Sequence, residues 1–278
     1  MEKGKILFVS QEITPFLPET FMSRICRYLP QAVNEKGKEI RTFMPKFGNI
    51  NSRKNQLHEV IRLSGMNLII EENDHPLIIK VSSIQQARMQ VYFIDNEDYF
   101  QRKFMFRDNN QKFFPDNDER SVFFNRSVIE TVKKLGWAPD IIHLHGWMSA
   151  LTSLFIKSVF KDNPLFYDSK IVMSLYNDLF TESFSPDFYK KVKLPEMPDN
   201  ELELLKAEPD YLGLMKTCIK HADGIILAED NINNEIINYI KKLNLPVIKH
   251  SEDTYVDDYC ELYDRINVEE SVEEEVFS

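Results

Sequence analysis

The chain has 278 residues, 43% of them hydrophobic and 28% charged, which excludes a collagen, a coiled coil or a wholly disordered polymer. Its net charge is −10, and an acidic chain without a basic tract is a poor partner for a phosphate backbone, so nucleic-acid binding is not expected. The eight glycines are about 3% of the chain against the usual ~7%, and their spacing forms neither G-x-G-x-x-G nor G-x-x-x-x-G-K-[ST], which excludes a glycine-loop phosphate site.

Ile6–Ser10 is a short apolar run and reads as a buried parallel strand. Phe21–Glu35 carries apolar residues at helical spacing, with Pro30 expected to kink or reset the helix. Glu39–Met44 is the next strand. Between 58 and 95 the pattern changes to short strands, His58–Leu63, Asn67–Glu71, Pro76–Ser82 and Met89–Ile94. Joined at Ser64-Gly65 and Asn73-Asp74, they predict β-hairpins inserted into the α/β order. Asp118–Leu135 is a helix stopped by Gly136.

Strand Asp140–His145, helix Met148–Phe160, strand Lys170–Tyr176, helix Tyr211–His221, strand Gly224–Leu227, helix Asn231–Lys242 and strand Pro246–Ile248 follow. Residues 181–210, with four prolines, read as a long surface loop. Thr254–Ile266 alternates aromatic and acidic residues as an amphipathic helix, with Ser251 or Asp253 as cap. The reading is therefore a doubly wound, mostly parallel Rossmann-like α/β sheet over 1–250, a helix over 251–267 that packs back on it, and an acidic disordered tail over 268–278.

Three scattered cysteines, Cys26, Cys218 and Cys260, form no disulfide framework. No apolar leader or spanning stretch is evident, so a cytoplasmic protein without membrane contact is expected. His143 and His145 share one face of a strand and could join Glu12 at a metal, but no third ligand is placed by spacing, and one core histidine with one at the strand end is the favoured reading.

Several segments in order resemble bacterial glycogen synthases and plant starch synthases. They are Lys5-Ile-Leu-Phe-Val-Ser-Gln-Glu-Ile-Thr-Pro-Phe16, Lys36-Gly37, Met44-Pro-Lys-Phe-Gly48, Val91–Phe100, Arg120–Arg126, Leu135–His143 with Trp147, and Ala222–Ile226. The resemblance implies one N-terminal half of a GT-B glycosyltransferase, and a family that transfers glucose from ADP-glucose to an α-1,4-glucan. The second half has no counterpart in residues after 230, and Thr254–Tyr263 resembles the family's final crossing helix.

The resemblance also marks departures at positions that meet substrate. Where the family has a Lys-Thr-Gly-Gly-Leu-Ala-Asp loop, Pro18 stands for the lysine, Thr20 and Phe21 for the glycines, and Arg24 for the aspartate. Gly146 follows His145 in place of an aspartate, and Tyr176 takes the place of a histidine, while Glu12, Trp147 and Asn177 are kept. Phe100 and Trp147 are weighed as a glucan-stacking platform against simple packing, and Glu12 as a sugar contact against a cap. Arg24 and Arg27 are weighed as an anion site against a solvated face paired with acidic neighbours.

These substitutions imply a degenerate relative without catalytic residues or cofactor, acting as an accessory or binding protein. The alternative is a glucosyltransferase subunit completed by another chain. The former cleft face, with Phe16, Leu17, Phe21 and Met22, is expected to meet an α-glucan, another protein or a second copy, or to be covered by the C-terminal helix.

Overall fold

The computed structural model describes residues 4–268; the acidic tail predicted beyond lies outside the described residues. In chain order the elements are β1 (Lys5–Ser10), α1 (Phe21–Glu35), β2 (Glu39–Pro45), β3 (His58–Glu59), β4 (Met66–Ile70), β5 (Asn73–Ile84), β6 (Met89–Asp95), α2 (Glu97–Phe100) and α3 (Asn117–Leu135). Then come β7 (Ile141–His145), α4 (Leu151–Ser158), β8 (Lys170–Leu175), α5 (Phe188–Val192), α6 (Glu203–Ala207), α7 (Tyr211–Ile219), β9 (Gly224–Leu227), α8 (Asn234–Ile240), β10 (Val247–Lys249) and α9 (Tyr255–Val268).

The sheet runs β10-β9-β8-β7-β1-β2-β6-β5-β3, with β4 paired to β5. From β10 to β6 every pairing is parallel, and the order reverses between β1 and β7 as in doubly wound sheets. The central strands are buried on both faces, as a parallel sheet covered by helices requires; β7 and β8 are buried at every position, with His143 and His145 on one face of β7. β5 is antiparallel to β6, so the hairpins extend the same sheet rather than forming a separate one.

Four details depart from the sequence reading. His58–Leu63 is a strand only at His58–Glu59, because the amides of Leu63 and Ser64 turn back onto the Val60 carbonyl. Asn73 and Asp74 belong to β5, and the turn is at 71–72, where Glu71 has φ +55°. α1 runs unbroken through Pro30; Leu29, Pro30 and Val33 are all buried, and that packing outweighs the donor lost from the ladder.

Residues 181–210 are not a surface loop. Phe184, Phe188, Val192, Met197, Leu202 and Leu205 are all buried, anchoring α5, α6 and a short 3-10 turn. Pro198 and Pro209 sit at the entries of helical segments, where proline costs little.

One apolar core fills the sheet-helix interfaces around β1, β2, β6 and β7. A second lies between the sheet, α1 and α9, where Phe8, Leu29 and Val172 meet Tyr259, Leu262 and Tyr263. α9 thus lays its aromatic face across the first β-α unit and turns its acids outward. Asp257 and Asp264 pair there with Lys36 and Lys38 at 2.5 and 3.0 Å.

Candidate functional site

The C-terminal ends of β1, β7, β8, β9 and β10 converge near the start of α1. Phe21, Asn177, Leu227, Glu229, Asp230 and His250 border a cavity of about 440 Å³ there. Ligands of open α/β sheets sit at such strand ends. Two carboxylates face this cavity, and among the described residues no lysine or arginine lines it. Asn177 is exposed, and its backbone N–H donates to Glu229 at 2.6 Å.

The N-terminus of α1 is closed by the chain itself. Thr20 caps the helix: its hydroxyl accepts from the Ser23 amide at 3.0 Å, and the Ser23 hydroxyl accepts from the Thr20 amide at 2.8 Å. The Thr20 hydroxyl donates to the buried Glu12 carboxylate, which the Ser23 amide also stabilises. Burial nonetheless raises Glu12 above the usual carboxylate range, helped by the charge of Glu229. Two of the amides that usually offer an anion seat at a helix start, those of Thr20 and Ser23, are thus spent within the chain. Pro18 and Glu19 are exposed in front of them.

Behind this layer His143 and His145 stack with ring centroids 4.0 Å apart, both fully buried. His143 Nδ1 lies 2.7 Å from the Tyr263 hydroxyl, and Nε2 lies 2.8 Å from Ser174 Oγ. His145 Nδ1 lies 2.8 Å from the Tyr176 hydroxyl, and its Nε2 has no partner within the described residues. Burial pushes His145 down to about 3 and holds His143 well below the ordinary value, so both rings are neutral. Both nitrogens of His143 are engaged, and among the described residues no cluster of three ligating side chains could hold a metal.

Trp147 and Phe100 are not a stacking platform. Phe100 is fully buried against Phe47 and Phe123, and Trp147 is 2% exposed inside a cluster with Phe106, Phe180 and Phe184. Each aromatic completes apolar packing that outweighs presentation to solvent. Gly146 takes φ +84°, and a Cβ there would come within 2.8 Å of Gln11, so the residue between His145 and Trp147 has little freedom to vary.

Arg24 pairs with Glu252 at 3.0 Å on the surface, and Arg27 is buried with its guanidinium on Gln31 at 2.8 Å. The four apolar residues of the expected cleft face do not form a bare patch. Phe16, Leu17 and Met22 are buried in the core, and Phe21 is met edge-on by His250 at 5.1 Å.

Asp178, absent from the sequence reading, ties the site together. It accepts from the Trp147 amide at 2.8 Å and from the Tyr211 hydroxyl at 2.9 Å, and desolvation pushes it up to about 6. Glu229, Asp230 and His250 were also missed. Only their places just beyond predicted strands pointed to them.

The model of the starch synthase catalytic domain matches residues 5–245. The chain belongs to the starch synthase catalytic-domain family. It is 35% identical over 234 residues to the glycogen synthase of Chlorobium limicola, covering 84% of this chain and 47% of that protein. It is 36% identical over 224 residues to that of Chlorobium phaeobacteroides, covering 79% of this chain and 44% of that protein. The chain therefore spans about half the length of the curated relatives it matches.

The catalytic domain of starch synthase IV from Arabidopsis thaliana, solved with ADP and acarbose, superposes with a TM-score of 0.70 at 16% identity, covering 91% of this chain and 52% of that one. The mostly parallel sheet is thus the fold of one half of a GT-B starch synthase. Among the described residues no helix is long and apolar enough to cross a membrane.

Proposed function

We propose that this family half does not transfer glucose by itself and serves an accessory or binding role in glycogen or starch metabolism. The observation that carries the reading is the closed start of α1. Pro18 stands where the family resemblance puts a lysine, and Thr20 and Phe21 where it puts two glycines, with Thr20 bonded to Ser23 and to the Glu12 carboxylate. A diphosphate brought there meets Glu19, Glu229 and Asp230 and lacks the family's lysine. Two like charges 4 Å apart repel by about 4 kcal/mol at an effective dielectric constant near 20, enough to cost about a thousandfold in affinity. Tyr176, bound to His145 inside the fold, replaces an imidazole that the family turns toward the reacting sugar, and a phenol cannot reproduce its titration.

The test is incorporation of labelled glucose from ADP-glucose into glycogen by the purified chain, with calorimetry against ADP alongside. Neither transfer nor ADP binding is expected. Robust turnover overturns the reading. Turnover that arises only when a second chain is added favours the other possibility, a subunit completed in trans, which rests on the half-length match to whole glycogen synthases.

A further inference from the structure

Lys46 follows β2 directly, and its backbone amide donates to the Ile94 carbonyl at 2.8 Å. The parallel register of β2 and β6 sets Met44 beside Phe93. Carried two residues on, it sets Lys46 beside Asp95 on the same face of the sheet. Lys80 stands opposite Phe93 on that face, and its ammonium reaches the fully buried Asp95 carboxylate at 2.6 Å. Gln101 donates to the other carboxylate oxygen at 3.2 Å.

Lys46 is 5% exposed, yet among the described residues its ammonium has no hydrogen bond or ion pair. Arg27, Asp118 and Arg120 are buried to a similar degree, and each is bonded. Burial holds Lys46 below the ordinary lysine range, with Asp95 opposing the shift and Lys80 adding to it. Both oxygens of Asp95 are engaged, while every N–H of the Lys46 ammonium is unspent. Glu59, across β3 from Lys80, is exposed and forms no ion pair with it. A charge buried without a partner is costly to the fold until something neutralises it.

We propose that Lys46 and Lys80 together bind a small inorganic oxyanion of the phosphate or sulfate type. Two ammonium groups against one carboxylate leave a positive charge that one anion balances. An ammonium carries three donors, which suits an ion with oxygens on every side. The little exposure of Lys46 admits a free ion and shuts out an organic phosphate. A metal cation is repelled by both lysines. The strands that carry this seat, β2, β5 and β6, contribute no residue to the cavity beside α1. Presence or absence of glucose transfer therefore has no bearing on it.

The experiment is thermal unfolding of the full chain in rising phosphate or sulfate, with ionic strength held constant by sodium chloride. It is repeated on Lys46→Met and on Arg24→Ala, which removes the surface cation at the start of α1. Methionine keeps the apolar stem of Lys46 and deletes the buried charge, so the variant should fold. A ligand that binds the folded state raises the melting temperature by mass action.

A saturable rise is expected for the wild type and for Arg24→Ala, with at least tenfold more anion needed by Lys46→Met. The proposal is overturned if chloride serves as well as phosphate, if Lys46→Met responds like the wild type, or if phenyl phosphate acts as strongly as the free ion. Should Lys46→Met not fold, wild-type crystals soaked in tungstate decide. An anomalous peak within hydrogen-bond reach of Lys46 Nζ supports the seat, and a peak elsewhere or none overturns it.

Discussion

His145 gives the fold a calculable sensitivity to acid. The ring is fully buried and held down to about 3, whereas in the unfolded chain it titrates near the ordinary ~6.5. A histidine with a lowered folded value contributes stability that is present above the unfolded value. That stability drains away as the pH falls below it, because the unfolded chain then binds the extra proton. By pH 4.5 the loss from this residue is about 3 kcal/mol. Asp178, pushed up to about 6, and Glu12, also raised, act in the opposite sense and gain stability on acidification. The bare pH profile of the wild type therefore mixes signs. His145→Asn removes this titration and leaves an amide near the Tyr176 hydroxyl, while the neighbouring His143, held low chiefly by its own burial, titrates in the same sense in both proteins. Urea unfolding of both proteins, followed by circular dichroism from pH 8 to 4.5, isolates the term. Asparagine can lower stability at every pH, but the wild-type advantage should shrink by about 3 kcal/mol across the range. Parallel profiles would mean that His145 is not kept neutral by burial, and the reasoning would fail.

Leu262→Ala on α9 should cost about 2–5 kcal/mol, read as a lowered urea midpoint, since Leu262 is 2% exposed in the core shared with α1. Gly146→Asp, which restores the residue that the family resemblance places there, should lower stability by about 1–3 kcal/mol and leave transfer absent. The φ of +84° and the 2.8 Å approach to Gln11 both oppose a side chain. Arg120→Lys should cost about 3 kcal/mol in chemical denaturation. The guanidinium donates to the Tyr99 and Met105 carbonyls and to Asn117 at once, and one ammonium cannot span them. Arg24→Ala, at an exposed ion pair, should change stability by less than about 1 kcal/mol in the same assay.

What could be read from the sequence follows from how local each signal is. β1, α1, β2, β6 and β7 declare themselves through period and caps, because each buries a face that its own residues define. Residues 181–210 do not, since α5 and α6 are too short for a helical period and their prolines mimic loop punctuation. The site was legible only as positions along strands. Glu12, His145 and Tyr176 were placed there from motif order, but which of them face solvent depends on cross-strand neighbours. Trp147 and Phe100 illustrate the loss: an aromatic at a strand end reads the same whether it stacks on a sugar or on Phe106 and Phe123. Asp178 carried no signal at all, because its meaning comes from the Trp147 amide and Tyr211, 31 and 33 residues away.

Three polar groups at the strand ends, Glu12, Tyr176 and Asp178, share one property that bears on the proposed loss of transfer. A group that greets a ligand is left with spare hydrogen-bonding capacity facing the cleft, at some cost to the empty fold. Here the capacity is turned inward. Glu12 holds Thr20, Tyr176 holds His145, and Asp178 holds Trp147 and Tyr211. Recruiting any of them to a substrate would first break a bond inside the fold and strand its partner, at about 1–3 kcal/mol each. Putting back one family residue would leave the other inward bonds in place, so on this reading single substitutions toward the family pattern should not recover transfer.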